Sequence, residues 1–240
     1  MPLQAIEPRR LYRQVADQLG QLIDRGEYAI GDRLPSEREL ADRLGISRPT
    51  VREALIALEV QGRVRIRVGS GIYVTAPPHA GAPDDENGEG PFELLRAREF
   101  LESAIAAEAA RSARADHVAR LDDVLKRMKT SRRPSEEVID LDREFHTAMA
   151  EILGNAVLVR VVRELFDERM NPYFQRLSSY FENRQSWDAA WNEHGEIRDA
   201  VAAHDPEKAK AAMERHLRQS QLRFSRSFAE TSAAREVAEH

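Results

Sequence analysis

The stretch that most constrains this chain runs from Leu34 to Val74: LPSERELADRLGISRPTVREALIALEVQGRVRIRVGSGIYV. Ser36 stands three residues before Glu39, the spacing at which a serine hydroxyl and a glutamate carboxylate cap a helix reciprocally. Leu40 and Leu44 share one face of that helix, and Gly45 suits the left-handed residue that ends it. Ser47 then caps a second helix whose first turn tolerates Pro49. Val51, Ala54, Leu55 and Leu58 recur at helical spacing, so they face a core. Arg48, Thr50 and Arg52 are expected on the opposite, solvent side near the start of that second helix.

After Gly62 the period changes to two. Val64, Ile66 and Val68 alternate with Arg63, Arg65 and Arg67, Gly69-Ser70-Gly71 reverses the chain, and Ile72 and Val74 return it. That is a β-hairpin with one apolar and one arginine-rich face. Helix, tight turn, helix and hairpin together predict a winged helix-turn-helix, in which the second helix places its N-terminal residues on base edges in the major groove.

The stretch resembles the winged-helix domain of the GntR family of bacterial transcription regulators. LPSERELADRLGISRPTVREAL follows the family pattern nearly residue for residue, and the wing glycines Gly69 and Gly71 fit as well. The resemblance implies DNA contacts by Arg38, Arg48, Thr50, Arg52 and Gly69, with Thr50 on phosphate and Gly69 at the wing tip near the minor groove. It also implies a homodimer on a palindromic operator in double-stranded DNA.

The overall charge of -5 fits a nucleic-acid binder only once the chain is divided. Residues 1–76 hold 12 Arg, no Lys and 10 Asp or Glu, for +2, whereas residues 77–240 carry -7. Arginine's planar fork suits guanine edges and phosphates. With no cysteine in 240 residues, a disulfide scaffold, a thiolate metal site and a Cys nucleophile are excluded. No signal-peptide pattern and no membrane-length apolar run occurs, so a cytoplasmic protein is expected.

Three segments follow from patterning. Residues 1–75 form the DNA-binding domain, beginning with an amphipathic helix through Leu11, Val15, Leu19, Leu22 and Ile23. Residues 76–91, APPHAGAPDDENGEGP, combine proline, glycine and acidic residues with no aliphatic larger than alanine, as a flexible linker does. Residues 92–230 read as helix throughout, over about 92–113, 116–129, 134–153, 156–171, 172–183, 186–203 and 206–229. The expected fold is mainly α: a winged helix-turn-helix followed by an antiparallel bundle of six or seven helices.

Within that bundle, Asp142 and His146 lie four apart on a helical face that continues through Met149 and Leu153. His194 shares a stripe with Trp187, Trp191, Ile197 and Val201, and His216 one with Ala209, Met213, Ser220 and Phe224. Three inward imidazoles and one inward carboxylate on three helices make an N₃O metal site conceivable. Residues 92–226 resemble the ligand-binding domain of the FadR-type branch of the same family, many of whose members bind a divalent metal. That resemblance implies the ligand set Asp142, His146, His194 and His216, with Zn²⁺ the first expectation and Ni²⁺ or Mn²⁺ also suited.

Arg98 lies on the face of Leu94, Leu95, Leu101 and Glu102, a costly place for an unpaired charge. The resemblance makes it the arginine that takes an organic acid's carboxylate bidentately; the alternative is an ion pair with Glu102. Arg169, in line with Leu158, Val162 and Leu165, is a second candidate for the effector pocket. The segment PFELLRAREFLESAIAAEAA, the tryptophans at 187 and 191 and the acidic linker most resemble hexuronate-responsive regulators of sugar-acid catabolism. The implied function is a repressor released from its operator by a sugar acid bound beside a metal, with lactate, glycolate or an amino acid as other possible effectors. A metallohydrolase would need a general base beside the metal. No HExxH-type motif is present and Phe145 precedes His146, so no enzyme is expected.

Overall fold

A computed structural model describes residues 10–75, 90–131 and 134–225. These fall into two compact units, divided after Gly90. The linker expected at 76–91 lies outside the described residues up to residue 89, as does the expected last stretch of the bundle beyond residue 225.

The first unit comprises α1 (Leu11–Asp24), α2 (Glu37–Leu44), α3 (Arg48–Val60), β1 (Val64–Arg67) and β2 (Gly71–Val74). The capping box at α2 is present in full: Ser36 Oγ accepts from the Glu39 backbone at 3.3 Å, and Glu39 Oε2 accepts from the Ser36 backbone at 2.9 Å. Gly45 takes the left-handed conformation, φ 66°, that closes α2 and sets the turn into α3. α3 is the axle of this unit, with Val51, Ala54, Leu55, Ile56, Ala57 and Leu58 buried. α1 lies against α3 and completes the core with Tyr12, Val15 and Leu19.

The two strands pair antiparallel, Val64 with Val74 and Ile66 with Ile72, and their apolar side chains face inward. Val68 belongs to the turn and not to the strand, so the wing is one residue shorter than its period suggested. Arg63 is not part of the arginine-rich face: it bonds the Gly20 carbonyl at 3.0 Å and the Asp24 carboxylate, tying wing to α1.

The second unit is α4 (Pro91–Ser112), α5 (Ala115–Thr130), α6 (Glu136–Glu151), α7 (Ala156–Asp167), α8 (Pro172–Phe181), α9 (Arg184–Ala202) and α10 (Pro206–Ser225). That gives seven helices among the described residues, the upper end of the expectation. α10 packs along α4 and α9, while α5 packs on α6 and α9. Ala106, Ala109 and Ala110 on α4, with Ala209 and Ala212 on α10, are buried, and small side chains at such positions let helix axes approach. Phe145, Leu121, Val124, Ile197 and Leu217 fill the rest of the core.

One boundary differs from the expected run over 156–171. α7 stops at Asp167, and a single 3₁₀ turn, Glu168–Met170, leads to Asn171 with φ -65° and ψ 149°. Pro172 forces that extended conformation on the residue before it. Asn171 then caps α8, its Oδ1 accepting from the Phe174 backbone at 2.7 Å. No described helix is long and apolar enough to cross a membrane.

Candidate metal centre, its cavity and the recognition helix

α6 carries Asp142 and His146, α9 carries His194 and α10 carries His216, and the structure brings all four into one buried cluster. One ligating atom from each lies within 4.8 Å of every other. His194 Nε2 is 3.3 Å from His146 Nε2 and 3.2 Å from Asp142 Oδ1, and His146 Nε2 is 3.5 Å from that oxygen. Ligand atoms about 2.0 Å from a tetrahedral Zn²⁺ sit about 3.3 Å apart. Asp142 Oδ1 is buried, and among the described residues it has only the Nε2 atoms of His194 and His146 beside it and no donor in hydrogen-bonding geometry. An acceptor in that position is costly without a cation, so the residues present fit a divalent metal.

The electrostatics agree. Burial opposes the charge of Asp142, yet the His146 and His194 imidazoles hold its carboxyl well below the usual range. Burial pushes His216 well below the ordinary histidine value, with His194 and His146 adding to the effect, and burial also lowers His194. Those two rings are therefore neutral at neutral pH, the form that ligates metal. His146 is the exception: burial disfavours its cation, but Glu102 and Asp142 together outweigh that and raise it.

Two carboxylates orient the rings. Glu102 Oε2 contacts His146 Nδ1, and Glu193 Oε2 meets His216 Nδ1 at 2.7 Å. Each leaves Nε2 of its histidine for the cluster, the arrangement usual around metal-ligating imidazoles. Burial disfavours the Glu102 charge, but Arg98 and His146 draw its pKa down to about 2. Neither glutamate was singled out by sequence as an orienting group. Glu193 has a visible signal in standing next to His194, while Glu102 figured only as a partner for Arg98.

Beside the cluster lies a cavity of about 30 Å³, walled by Arg98, Arg169 and Arg223 together with Asp142, Trp187 and His216. Arg98, expected to take a carboxylate, is buried against Glu102 with Nε–Oε1 2.6 Å and Nη2–Oε2 3.4 Å, while still lining the cavity. Arg169 donates to Asp142 Oδ2 at 2.6 Å and to Glu182 at 2.8 Å, and its guanidinium stacks over Phe166 and Phe174. The break between α7 and α8 gives it this reach. Arg223 donates to Glu193 Oε1 at 3.0 Å. Its place seven residues after His216, on one helical face, is the spacing that would have found it.

In the first unit, Arg48 opens α3 and Arg38 lies on α2; both are exposed, and neither has a hydrogen-bond partner among the described residues. Thr50 is half-buried with its hydroxyl 2.8 Å from Ser47 Oγ. Gly69 occupies the exposed wing turn with φ 75°. Arg52 corrects the expectation. It is fully buried, and its guanidinium grips Glu37 through Nε–Oε1 at 2.7 Å and Nη2–Oε2 at 2.9 Å. Helical spacing set it four residues from Arg48, but tertiary packing of α2 on α3 covers that position. In this structure Arg52 holds the helix-turn-helix together rather than standing open to DNA.

Comparison with known proteins follows the same division. The profile described as "Bacterial regulatory proteins, gntR family" matches residues 11–74, and the one described as "FCD domain" matches residues 93–219. The Exu regulon transcriptional regulator of Escherichia coli K12 is 37% identical over 238 residues, spanning 96% of this chain and 89% of that protein. The Uxu operon regulator of Haemophilus influenzae is 38% identical, spanning 87% of this chain and 79% of that protein. Among solved structures, E. coli McbR/YncC superposes with a TM-score of 0.50 at 22% identity, over 90% of this chain and 97% of that one, which speaks to fold alone. With both profiles and the full-length relatives in agreement, the chain belongs to the gntR family of bacterial regulatory proteins, with an FCD domain behind its winged helix and regulators, not enzymes, as its relatives.

Proposed function

We propose that this chain is a cytoplasmic, DNA-binding transcription repressor that acts as a homodimer on a palindromic operator and is released by a hexuronate-type sugar acid. In this reading Arg48 and Arg38 read or anchor DNA, Thr50 meets phosphate and Gly69 carries the wing tip toward the minor groove. Asp142, His146, His194 and His216 hold a divalent metal, Zn²⁺ in the first instance, and Arg98 and Arg169 receive the acid.

The charge balance around the cavity is the observation that carries the reading. Four buried or half-buried carboxylates, Glu102, Asp142, Glu182 and Glu193, face three guanidiniums, Arg98, Arg169 and Arg223. Metal ligation requires all three imidazoles neutral and displaces the proton favoured on His146 in the metal-free cluster. That leaves one negative charge; a divalent cation turns it into one positive charge, which a single carboxylate neutralises. When bound, such a cation supplies a Lewis-acidic anchor for that carboxylate. The relatives' names, regulators of the Exu regulon and the Uxu operon, agree with a uronate as the acid.

A cavity of about 30 Å³ holds roughly two water molecules. A uronate therefore requires the arginines to turn out of their internal pairs, and the acid must prefer the opened state for it to act as a signal. The same small volume favours a second reading, a compact acid such as lactate or glycolate. Titration of the protein–operator complex decides between them. Galacturonate, glucuronate or fructuronate should dissolve it at millimolar concentration; release by glycolate or lactate alone would overturn the hexuronate assignment.

A further inference from the structure

Two glutamates in the bundle do the same unusual thing at separate places. Glu102 on α4 accepts from Arg98 through Nε at 2.6 Å and also contacts Nδ1 of His146 on α6. Glu193 on α9 accepts from Arg223 at 3.0 Å and meets Nδ1 of His216 on α10 at 2.7 Å. Both arginines wall the cavity, and both histidines belong to the cluster. His194 differs: among the described residues the carboxylate within ion-pair reach of it is Asp142, which stands at its Nε2 and not at its Nδ1. A carboxylate outside the ligand set thus joins a cavity arginine to His146 and to His216, whereas at His194 the carboxylate that meets a cavity arginine is Asp142, itself one of the four.

We propose that Glu102 and Glu193 are positioning residues that relay the state of the cavity to the metal cluster, each dividing its hold between a cavity arginine and a ligand histidine. While Arg98 and Arg223 stay paired, part of each carboxylate's hydrogen-bonding capacity goes to the guanidinium. When an anion in the cavity draws an arginine away, the glutamate closes on its imidazole alone, fixing ring and tautomer more firmly. The cavity anion and the metal then strengthen each other's binding by one common factor, as linkage requires. The inference rests on the metal reading given above.

A double-mutant cycle read by Zn²⁺ affinity, from competition with a chromophoric chelator, tests the relay without any effector. Glu102→Gln and Glu193→Gln should each weaken Zn²⁺ binding about 10–100-fold, the usual cost of losing such an outer carboxylate. Arg98→Met should tighten binding in the native chain and do so at least about threefold less in the Glu102→Gln background. Arg223→Met with Glu193→Gln forms a second cycle at a partly exposed arginine, which keeps the test alive if Arg98→Met fails to fold. The visible spectrum of the Co²⁺-loaded protein should shift on Arg98→Met only while Glu102 is present.

Equal factors in both backgrounds, with an unmoved Co²⁺ spectrum, would mean that the arginines act on the metal through bulk charge alone, and the relay would be wrong. Millimolar galacturonate should also tighten Zn²⁺ binding in the native chain more than in the Glu102→Gln, Glu193→Gln variant. If it changes nothing while both cycles are non-additive, the hexuronate assignment falls and the relay stands.

Discussion

Glu37 and Arg52 meet inside the helix-turn-helix as a bidentate pair, 2.7 Å and 2.9 Å between their heavy atoms, with the arginine wholly buried. Fifteen residues apart, they join the first turn of α2 to the middle of α3. They fix the angle at which α3 presents Arg48. Removing one partner leaves an uncompensated buried charge, so Glu37→Ala or Arg52→Ala should destabilise the winged helix by about 3–5 kcal/mol. Chemical denaturation followed in the first unit checks this, and an unchanged midpoint would return Arg52 to the solvent-facing role that spacing suggested.

Arg48→Ala tests the exposed end of the same helix. No hydrogen bond or ion pair among the described residues engages its guanidinium, so thermal stability should stay within about 0.5 kcal/mol of the parent. Operator affinity should fall by about 1–3 kcal/mol if it reads a base edge. Binding measured at two salt concentrations separates a base contact from a phosphate contact, because only the latter reduces the salt slope by about one.

His146→Ala and His194→Ala should each lower bound Zn²⁺ after dialysis and lower the melting temperature of the second unit, since metal bound only by the folded state stabilises it. The winged helix has its own core and should keep its fold. Full occupancy of both variants by elemental analysis would remove these residues from the ligand set.

Acid should weaken the metal-free bundle through Glu102. Its carboxyl titrates at about 2 in the folded chain, below its ordinary 4.5. A depressed carboxyl contributes stability that is present above the ordinary value and is lost as pH falls toward the folded one. Melting temperature should therefore drop between about pH 4.5 and pH 2, and Glu102→Gln should flatten that slope while lowering stability at neutral pH. An identical slope in the variant would show that other carboxyls govern the transition.

Much of this molecule is legible in its sequence because the signals are local. Ser36 with Glu39, Gly45 and Ser47 encode helix ends through contacts spanning three or four residues, and each cap formed as read. Helical spacing told only which way each of the four cluster residues faces on its own helix, and the family resemblance joined them into one ligand set. What spacing cannot report is the neighbour across the gap. Arg52 looked exposed because Glu37 arrives from another helix, and Glu102 and Glu193 stayed hidden as orienting groups because their histidines lie on α6 and α10. The 3₁₀ turn before Asn171 was missed because Glu168, Arg169 and Met170 are all good helix formers; only the restriction Pro172 places on its predecessor ends the helix.

The cluster also bears on how the chain withstands unfolding. Its ligands come from positions 142, 146, 194 and 216, so a cation gripping them pins together points 74 residues apart in a chain with no cysteine. In the chain-entropy picture, a cross-link closing a loop of that size is worth about 4 kcal/mol through the freedom it denies the unfolded state. Unlike a disulfide, this staple needs no oxidant and can be withdrawn by a chelator. Cells short of the metal would then hold the same polypeptide with an intact reading head and a loosened bundle.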